Sequence, residues 1–330
     1  MTFNVDFKNY GGAIGLQSKW LEIQGISESS LTSSLVDRSI DGGVDAVVIT
    51  SMHDDPIAKG SVHDRFSYFA NPDNHVYFGR TDDVNPLVDS MGKPSGRAVK
   101  VRRDFERSDN GVLYLIKGQV VQTKLHDDGD RSKALDILAV GIDNYIEPFQ
   151  HPEAVVADIQ YQGGLVIADN RLLTDLTKKS LGKRLVIAHN RLLLNPEGSE
   201  WFYDHSGSFD AVLGHYARHK IPPIFARGPL RSADRDINDI TQRVARWVNL
   251  PWVSASGAKF PSEHGITYSS ITSNPRVVVN DCSFFDYIRE ALTSKKVMNH
   301  EGVIGIVDFL RDSLAWRKGL KLMAKGVSLE

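Results

Sequence analysis

Three passages of the chain share one order: an amphipathic helical pattern, a glycine or proline stop, and a short apolar run. The helical patterns and their runs are 31–41 with 44–50, 152–162 with 163–168, and 236–248 with 249–255. Glycine ends helices because it adopts the left-handed conformation without strain, and short apolar runs beside such stops are typical of buried strands. This alternation predicts βα units and a parallel sheet, either closed into a barrel or open and doubly wound.

The composition excludes several classes of protein. The 330 residues are 41% hydrophobic and 24% charged, which is typical of a globular domain. The formal net charge of −2 gives no overall attraction for nucleic acid, and no apolar run is long enough to span a bilayer. Cys282 is the one cysteine, so no internal disulfide can form. We therefore expect a cytoplasmic location, and residues 1–6 show no secretory signal pattern.

Residues 53–112 interrupt the alternation of helices and strands. They are polar and rich in Asp, Asn, Gly and Pro, and we expect an insertion there. The ranges 97–105 and 112–121 predict a β-hairpin, because the Asn110-Gly111 pair suits a turn that needs positive φ. Residues 301–330 predict a helical extension whose basic side chains form a solvated face. The rest of 1–300 is expected to form one barrel-like domain.

Two segments of the chain are nearly identical. The ranges 165–173 and 185–193 differ at one position in nine, where Asp169 in the first corresponds to His189 in the second. Two copies are too few for a solenoid. They predict two adjacent strands with similar exits.

The ends of the candidate strands carry most of the residues that can do chemistry. In chain order they read Asp6-Phe-Lys8-Asn-Tyr10, Thr50-Ser-Met52-His53-Asp54, Gly118-Gln-Val120-Val, Ala168-Asp169-Asn and Ser256-Gly257-Ala-Lys259. Residues two apart on a strand point to the same side. Gly257 and Lys259 are therefore expected to face the same space beyond their strand.

The order of these strand ends resembles that of the PHP (polymerase and histidinol phosphatase) superfamily, from Asn4 to about His300 apart from the insertion. The family patterns are Asp-x-His-x-His, Ile-Thr-Asp-His, Gly-x-Glu-Val, Ala-His-Pro and Gly-Ser-Asp-Ala-His. The range 283–292 resembles the closing helix of the family. The resemblance implies an α/β fold, a distorted PHP-like (β/α)7 barrel of TIM type with a hairpin-containing insertion and a helical C-terminus. It also implies a site at the strand ends, where the family binds cations for phosphoester hydrolysis.

The side chains that bind metal in the family are absent at most matching positions. The seven positions that correspond to family ligands are Lys8, Tyr10, Met52, Val120, Asp169, Gly257 and Lys259. Only Asp169 keeps a carboxylate, whereas a protonated lysine has no lone pair and repels a cation. A degenerate metal site is therefore expected, with no catalytic residue, no bound metal and no cofactor.

Three functions remain open. The first is a non-catalytic pseudoenzyme that acts as a structural or interaction protein and binds an unknown protein partner. The second is a divergent metal-dependent phosphoesterase that rebuilt a Mn²⁺ or Zn²⁺ site from His53, Asp54, Asp169 and His189. The third is a protein that binds a small anionic ligand through Lys8 and Lys259, with Asp169 as their counter-charge. Neither a membrane nor nucleic acid is expected as a partner.

Overall fold

The computed structural model describes residues 2–11, 27–52, 64–77, 80–103, 111–125, 135–169, 196–216, 230–258, 261–272 and 280–302, and the single positions 307, 311, 314 and 318. Within these ranges, no helix is long and apolar enough to cross a membrane. The four single C-terminal positions are helical and exposed.

Most of the described strands belong to one sheet. The strands are β1 (Thr2–Asn9), β2 (Ala46–Met52), β3 (Val76–Tyr77), β4 (Arg80–Thr81), β5 (Asp83–Val88), β6 (Pro94–Arg102), β7 (Val112–Thr123), β8 (Leu135–Val140), β9 (Leu165–Ala168), β10 (Ala211–Tyr216), β11 (Trp252–Ala255), β12 (Tyr268–Thr272) and β13 (Val297–His300). The sheet has the order β11-β10-β9-β8-β7-β2-β1-β12-β13, and β6 and β5 branch from β7. The first seven strands in that order form the wall of a barrel.

The helices lie between the strands of this wall or beside them. They are α1 (Glu28–Asp41), α2 (Arg65–Ala70), α3 (Pro152–Tyr161), α4 (Pro196–His205), α5 (Leu230–Trp247) and α6 (Asp281–Thr293). The passages α1 to β2, α3 to β9 and α5 to β11 are the three that the sequence predicts. Among the seven wall strands, β8 is antiparallel to both of its neighbours and the others are parallel to one another.

The sheet nearly closes where the end of β1 meets the residues that follow β11. The first half of β1 pairs with β12, with Thr2–Val5 opposite 269–272. Farther along, the Gly257 N–H donates to the Lys8 carbonyl over 2.8 Å, and the Tyr10 N–H donates to the Ala258 carbonyl over 3.0 Å. The structure thus confirms a mixed α/β fold with a nearly closed, barrel-shaped sheet.

The reversed strand β8 determines how the chain continues. It returns the chain to the end at which the other wall strands begin, and the next connection runs back along the outside of β7. Gln119 on β7 exchanges two hydrogen bonds of 2.7 Å with the backbone of Ile146. The Phe149 N–H donates to the Gln122 carbonyl over 2.6 Å. Helix α3 then runs back to the end at which the wall strands begin, so β9 can follow it parallel to the other wall strands.

Helix α6 closes the end of the barrel at which most strands begin. Phe284 and Phe285 on α6 belong to the same buried cluster as the inward-facing side chains of the wall. The Arg97 guanidinium lies 4.2 Å from the Phe285 ring centre and donates to the carbonyls of Gly141 and Gly163. A cation on an aromatic face that also hydrogen-bonds two carbonyls fixes the helix against the strand ends. This end of the barrel is packed by α6, and the strand ends singled out in the sequence lie at the other end.

The predicted hairpin is confirmed, and its second strand is part of the barrel. Ala98–Arg102 of β6 lie antiparallel to Val112–Ile116 of β7, and Ala98 is buried in the interior cluster. The first of the two nearly identical segments begins with β9, whose neighbours in the sheet are β8 and β10. The second segment, 185–193, lies outside the described residues, so the expectation of two adjacent strands stays a prediction.

Buried charges attach part of the insertion to the barrel. Arg80, in the ribbon formed by β3 and β4, contacts Asp82 at 2.9 Å and Asp37 of α1 at 2.8 Å. The Tyr77 hydroxyl donates to the same Asp82 carboxylate. The bond from Arg80 to Asp37 holds the ribbon against α1, and the bonds to Asp82 pair the buried charges within the ribbon region.

Two glycines allow a test of how α6 packs. Gly141 has φ +70°, and an added Cβ would lie 2.2 Å from Cε1 of Phe285, whereas Gly43 has φ +75° and nothing within 4 Å of its Cβ. We expect Gly43→Ala to lower the free energy of unfolding by about 1–2 kcal/mol through backbone strain. Gly141→Ala should lower it by about 1–3 kcal/mol more, because Phe285 must shift. Urea denaturation measures both, and equal losses would contradict the packing of α6.

Candidate functional site

The candidate site is the end of the barrel opposite α6, called the mouth here, where β1, β2, β7, β9 and β11 end. In barrels of this kind the C-terminal ends of parallel strands carry the residues that do chemistry. The five strand ends are those singled out in the sequence. Register places some of them side by side, since Met52 at the end of β2 lies opposite Val120 on β7.

A bulge in β1 turns Lys8 and Tyr10 toward the barrel interior. Between Asp6 and Asn9 the strand has one residue more than the facing stretch of β2, Val47 to Ile49. An extra residue reverses the alternation of side chains beyond it. Tyr10 accordingly belongs to the interior cluster, and Lys8 reaches across the mouth.

Lys8 and Asp169 form an ion pair at the mouth. The Lys8 ammonium donates to Oδ2 of Asp169, and the two side chains are 3% and 0% exposed. The two residues lie 161 positions apart in sequence, and the pairing joins the end of β1 to the end of β9. Asp169 thus holds Lys8 as a counter-charge.

Two of the other family-ligand positions, Val120 and Gly257, carry no group that can bind a metal. Val120 is 1% exposed and packs in the interior cluster. Gly257 has φ +58°, a conformation that favours glycine, and its N–H belongs to the closure with β1. Lys259, His53, Asp54 and His189 lie outside the described residues. In the described part of the chain, no group of three or more His, Cys, Asp or Glu side chains could hold a metal ion.

Arg65 is a residue at the mouth that the sequence analysis missed. It is 1% exposed, and its guanidinium donates to the Tyr10 carbonyl over 2.9 Å. The guanidinium lies 5.7 Å from the centre of the Tyr10 ring, and the Lys8 ammonium lies 5.9 Å from it. Tyr10 therefore contacts two cations. Arg65 lies in a polar stretch of the sequence, and nothing in that stretch indicated that its side chain would be buried.

Asp136 is a second residue that the sequence analysis missed. It lies at the start of β8, two residues before the inward-facing Leu138, and is 4% exposed. Its carbonyl accepts from the Asp169 N–H over 3.3 Å. Strand alternation thus places a second carboxylate on the inner face beside Asp169. The sequence signal that could have identified Asp136 was a single acidic residue within the otherwise apolar run 135–140. With Asp136 included, the mouth carries carboxylates as well as cations.

Asp6 lies on the other side of β1 and joins that strand to β11. Its carboxylate accepts from the Ser256 N–H over 2.9 Å, from the Ser256 hydroxyl, and from the Asn9 amide over 2.9 Å. The same Asn9 amide nitrogen lies 3.1 Å from Nδ1 of His264, and it donates there when that ring is neutral. The seam is the line along which the end of β1 meets the residues after β11. We call the buried polar group at this seam the seam cluster; its members are Asp6, Asn9, Ser256 and His264.

Burial sets the protonation of the seam cluster. Loss of water raises the pKa of Asp6 to about 6, although the hydrogen bonds from Ser256, Asn9 and the Lys8 backbone oppose the rise. Burial, together with the Arg38 charge, lowers the pKa of His264 to about 3. His264 is therefore neutral near pH 7, as its contact with Asn9 requires.

Comparisons with known proteins support the fold. The chain matches no protein-family model and no curated protein. Its structure is similar to the crystal structure of PsfC from Pseudomonas syringae PB-5123, with a TM-score of 0.51, 10% sequence identity, and coverage of 97% of this chain and 99% of that chain. The lesion-specific endonuclease PfuEndoQ from Pyrococcus furiosus matches with a TM-score of 0.42 and 14% identity, over 91% of this chain and 58% of that chain. The likeness to PsfC shows a shared fold.

The ion pair can be tested by a double-mutant cycle. We expect Lys8→Met or Asp169→Leu alone to lower the free energy of unfolding by about 3–5 kcal/mol, because each leaves one buried charge without its partner. The double variant should lose clearly less than the sum of the two. Chemical denaturation measures the coupling. Additive losses would show that the two charges do not stabilise each other.

Proposed function

We propose that this chain is a PHP-like barrel in which an internal ion pair replaces the metal cluster, and that it acts as a non-catalytic structural or interaction protein. The observation that carries the proposal is the buried contact between Lys8 and Asp169. Of the family-ligand positions, Asp169 alone keeps a carboxylate, and its partner is the residue that stands at a family histidine position. The likeness of the whole barrel to PsfC supports the fold.

The charges explain why such a mouth should not take up divalent metal. A cation at Asp169 would have to displace the Lys8 ammonium, which has no lone pair to offer as a ligand. The displaced ammonium would then be a buried charge facing a second cation, which is strongly unfavourable. The Arg65 guanidinium beside Tyr10 adds positive charge on the same side of the mouth.

Two alternatives differ in how they use the same residues. A phosphoesterase rebuilt from His53, Asp54, Asp169 and His189 would need Asp169 to exchange Lys8 for a metal. An anion-binding protein using Lys8 and Lys259 gains a specific observation, because buried Arg65 lies next to Tyr10 and can add a planar, bidentate donor for a phosphate or carboxylate. We keep anion binding as the second candidate.

Restoring one family residue should restore metal binding. We expect the wild-type protein, purified without chelator and incubated with Mn²⁺ or Zn²⁺, to hold sub-stoichiometric metal by plasma mass spectrometry. Lys8→His should take up metal and gain thermal stability from it, because it removes the ammonium and adds a ligand beside Asp169 and Asp136. Lys117→His is the matched control, since Lys117 is half-buried on β7 and donates to the Asp143 carbonyl instead.

The outcomes separate the three functions. Stoichiometric metal in the wild-type protein, with hydrolysis of bis-p-nitrophenyl phosphate that Asp169→Asn abolishes, would overturn the proposal in favour of the phosphoesterase. Binding of inorganic phosphate by calorimetry, weakened in both Lys8→Met and Arg65→Met, would favour the anion-binding protein. Neither metal nor phosphate binding is expected for the non-catalytic protein.

A further inference from the structure

A large aromatic side chain is exposed in the last turn of α5. Trp247 is 78% exposed, and its ring centre lies 4.9 Å from that of Tyr203 on α4, at an interplanar angle of 65°. Tyr203 in turn packs against the buried cluster between the helices and the outer face of the wall. The Trp247 ring therefore lies on a well-packed neighbour, while most of its surface remains in contact with water.

Two arginines share the outward face of α5 with this ring. Arg243, Arg246 and Trp247 are all exposed, and residues three and four apart on a helix lie on one face. Val244 and Ala245 are on the opposite side of the helix and belong to the buried cluster. Packing of that side fixes which side of α5 is turned to the solvent.

Lys295 adds a third cation beside the end of α5. It is exposed, and its ammonium donates to the side-chain carbonyl of Asn249, which follows Trp247 by two residues. Lys295 comes directly after α6 and the short turn that ends it, at the end of the barrel opposite the mouth. This surface is called the α5 patch, and its members are Tyr203, Arg243, Arg246, Trp247 and Lys295.

We propose that the α5 patch is a docking surface for an acidic amphipathic helix of another protein, with an apolar side chain of that helix packed on Trp247. The inference rests on the role as an interaction protein proposed above, and it names the class of partner. Tryptophan, tyrosine and arginine are the residues that most often dominate the energy of protein–protein binding. Here all three types lie together on one exposed face.

The spacing of the arginines indicates the form of the partner. A guanidinium is planar and binds a carboxylate through two parallel hydrogen bonds. Arg243 and Arg246 are three residues apart, which separates them by about 4.5 Å along the helix axis. Carboxylates three or four residues apart on a second helix have a similar spacing. An acidic helix can therefore pair with both arginines while it covers the Trp247 ring.

A uniform polyanion fits this surface less well. Glu200 and Asp204, which flank Tyr203 on α4, are exposed carboxylates. The Glu301 carboxylate lies 3.4 Å from the side-chain amide of Gln242 on α5, and the formal net charge of the chain is −2. A nucleic-acid backbone or an anionic bilayer would bring phosphates against these carboxylates. A helix with a few acidic side chains can instead place each of them opposite a cation.

Selection from a library of displayed helical peptides tests the patch. We expect peptides selected on the wild-type protein to be rich in Asp and Glu and to carry Leu, Phe or Trp. Labelled synthetic forms should bind in fluorescence anisotropy measurements, and Trp247→Ala should weaken their binding by about 10-fold or more. Tyr161→Ala is the matched control, because Tyr161 is 92% exposed at the end of α3 and its removal should leave the affinity unchanged.

A charge reversal keeps the Trp247 ring and guards against a change of fold in Trp247→Ala. Arg246→Glu should weaken the binding of the acidic peptides by about 5-fold, because it places like charges opposite each other. Replacing one peptide Glu by Lys should restore part of the affinity for this variant and lower the affinity for the wild-type protein.

The remaining outcomes would overturn the proposal. It fails if no peptide is enriched, or if the enriched peptides bind Trp247→Ala as tightly as the wild-type protein. It also fails if the wild-type protein binds a single-stranded oligonucleotide, or vesicles that contain phosphatidylserine, and the patch variants lose that binding. Metal content measures the mouth at the other end of the barrel, so failure of the patch is distinguishable from failure of the proposed function.

Discussion

A barrel closes only if its first and last wall strands pair, and in this chain a buried carboxylate completes that pairing. β1 gives half of its edge to β12, which leaves a short stretch for the residues after β11. Asp6 extends the contact by accepting from the Ser256 backbone and hydroxyl. Without this closure the interior side chains of β1 and β11 would lose their neighbours across the barrel. The positions of Lys8 and Tyr10 at the mouth depend on this closure.

The mouth of the barrel holds buried charges of both signs. The bulge in β1 turns Lys8 inward, where Asp169 pairs with it. Arg65 and Asp136 add one charge of each sign close by. Buried charges persist only when they are paired and hydrogen-bonded. Opposite charges drawn from several elements therefore tie the strand ends together.

Sequence patterns predicted the parts of the fold that depend on local periodicity. The helix-to-strand passages ending in β2, β9 and β11, and the hairpin of β6 and β7, follow from apolar spacing and glycine stops. The resemblance placed Lys8 and Asp169 at strand ends, whereas their contact is a feature of the folded chain. The expectation that 165–173 and 185–193 form adjacent strands stays a prediction, because the second range lies outside the described residues. Neither Arg65 nor Asp136 stood out as part of the mouth.

The sequence by itself determined the class of the fold and the chemical character of the strand ends, since hydrophobic periodicity and the identities of the residues at those ends are properties of the chain alone. Tertiary structure decided the rest. The direction of β8, the bulge that turns Lys8, and the burial of Asp6 depend on which backbone groups meet across the sheet. Such meetings join residues more than a hundred positions apart, as Asp6 and Ser256 are, and no local pattern records them because the interaction exists only once the barrel has closed.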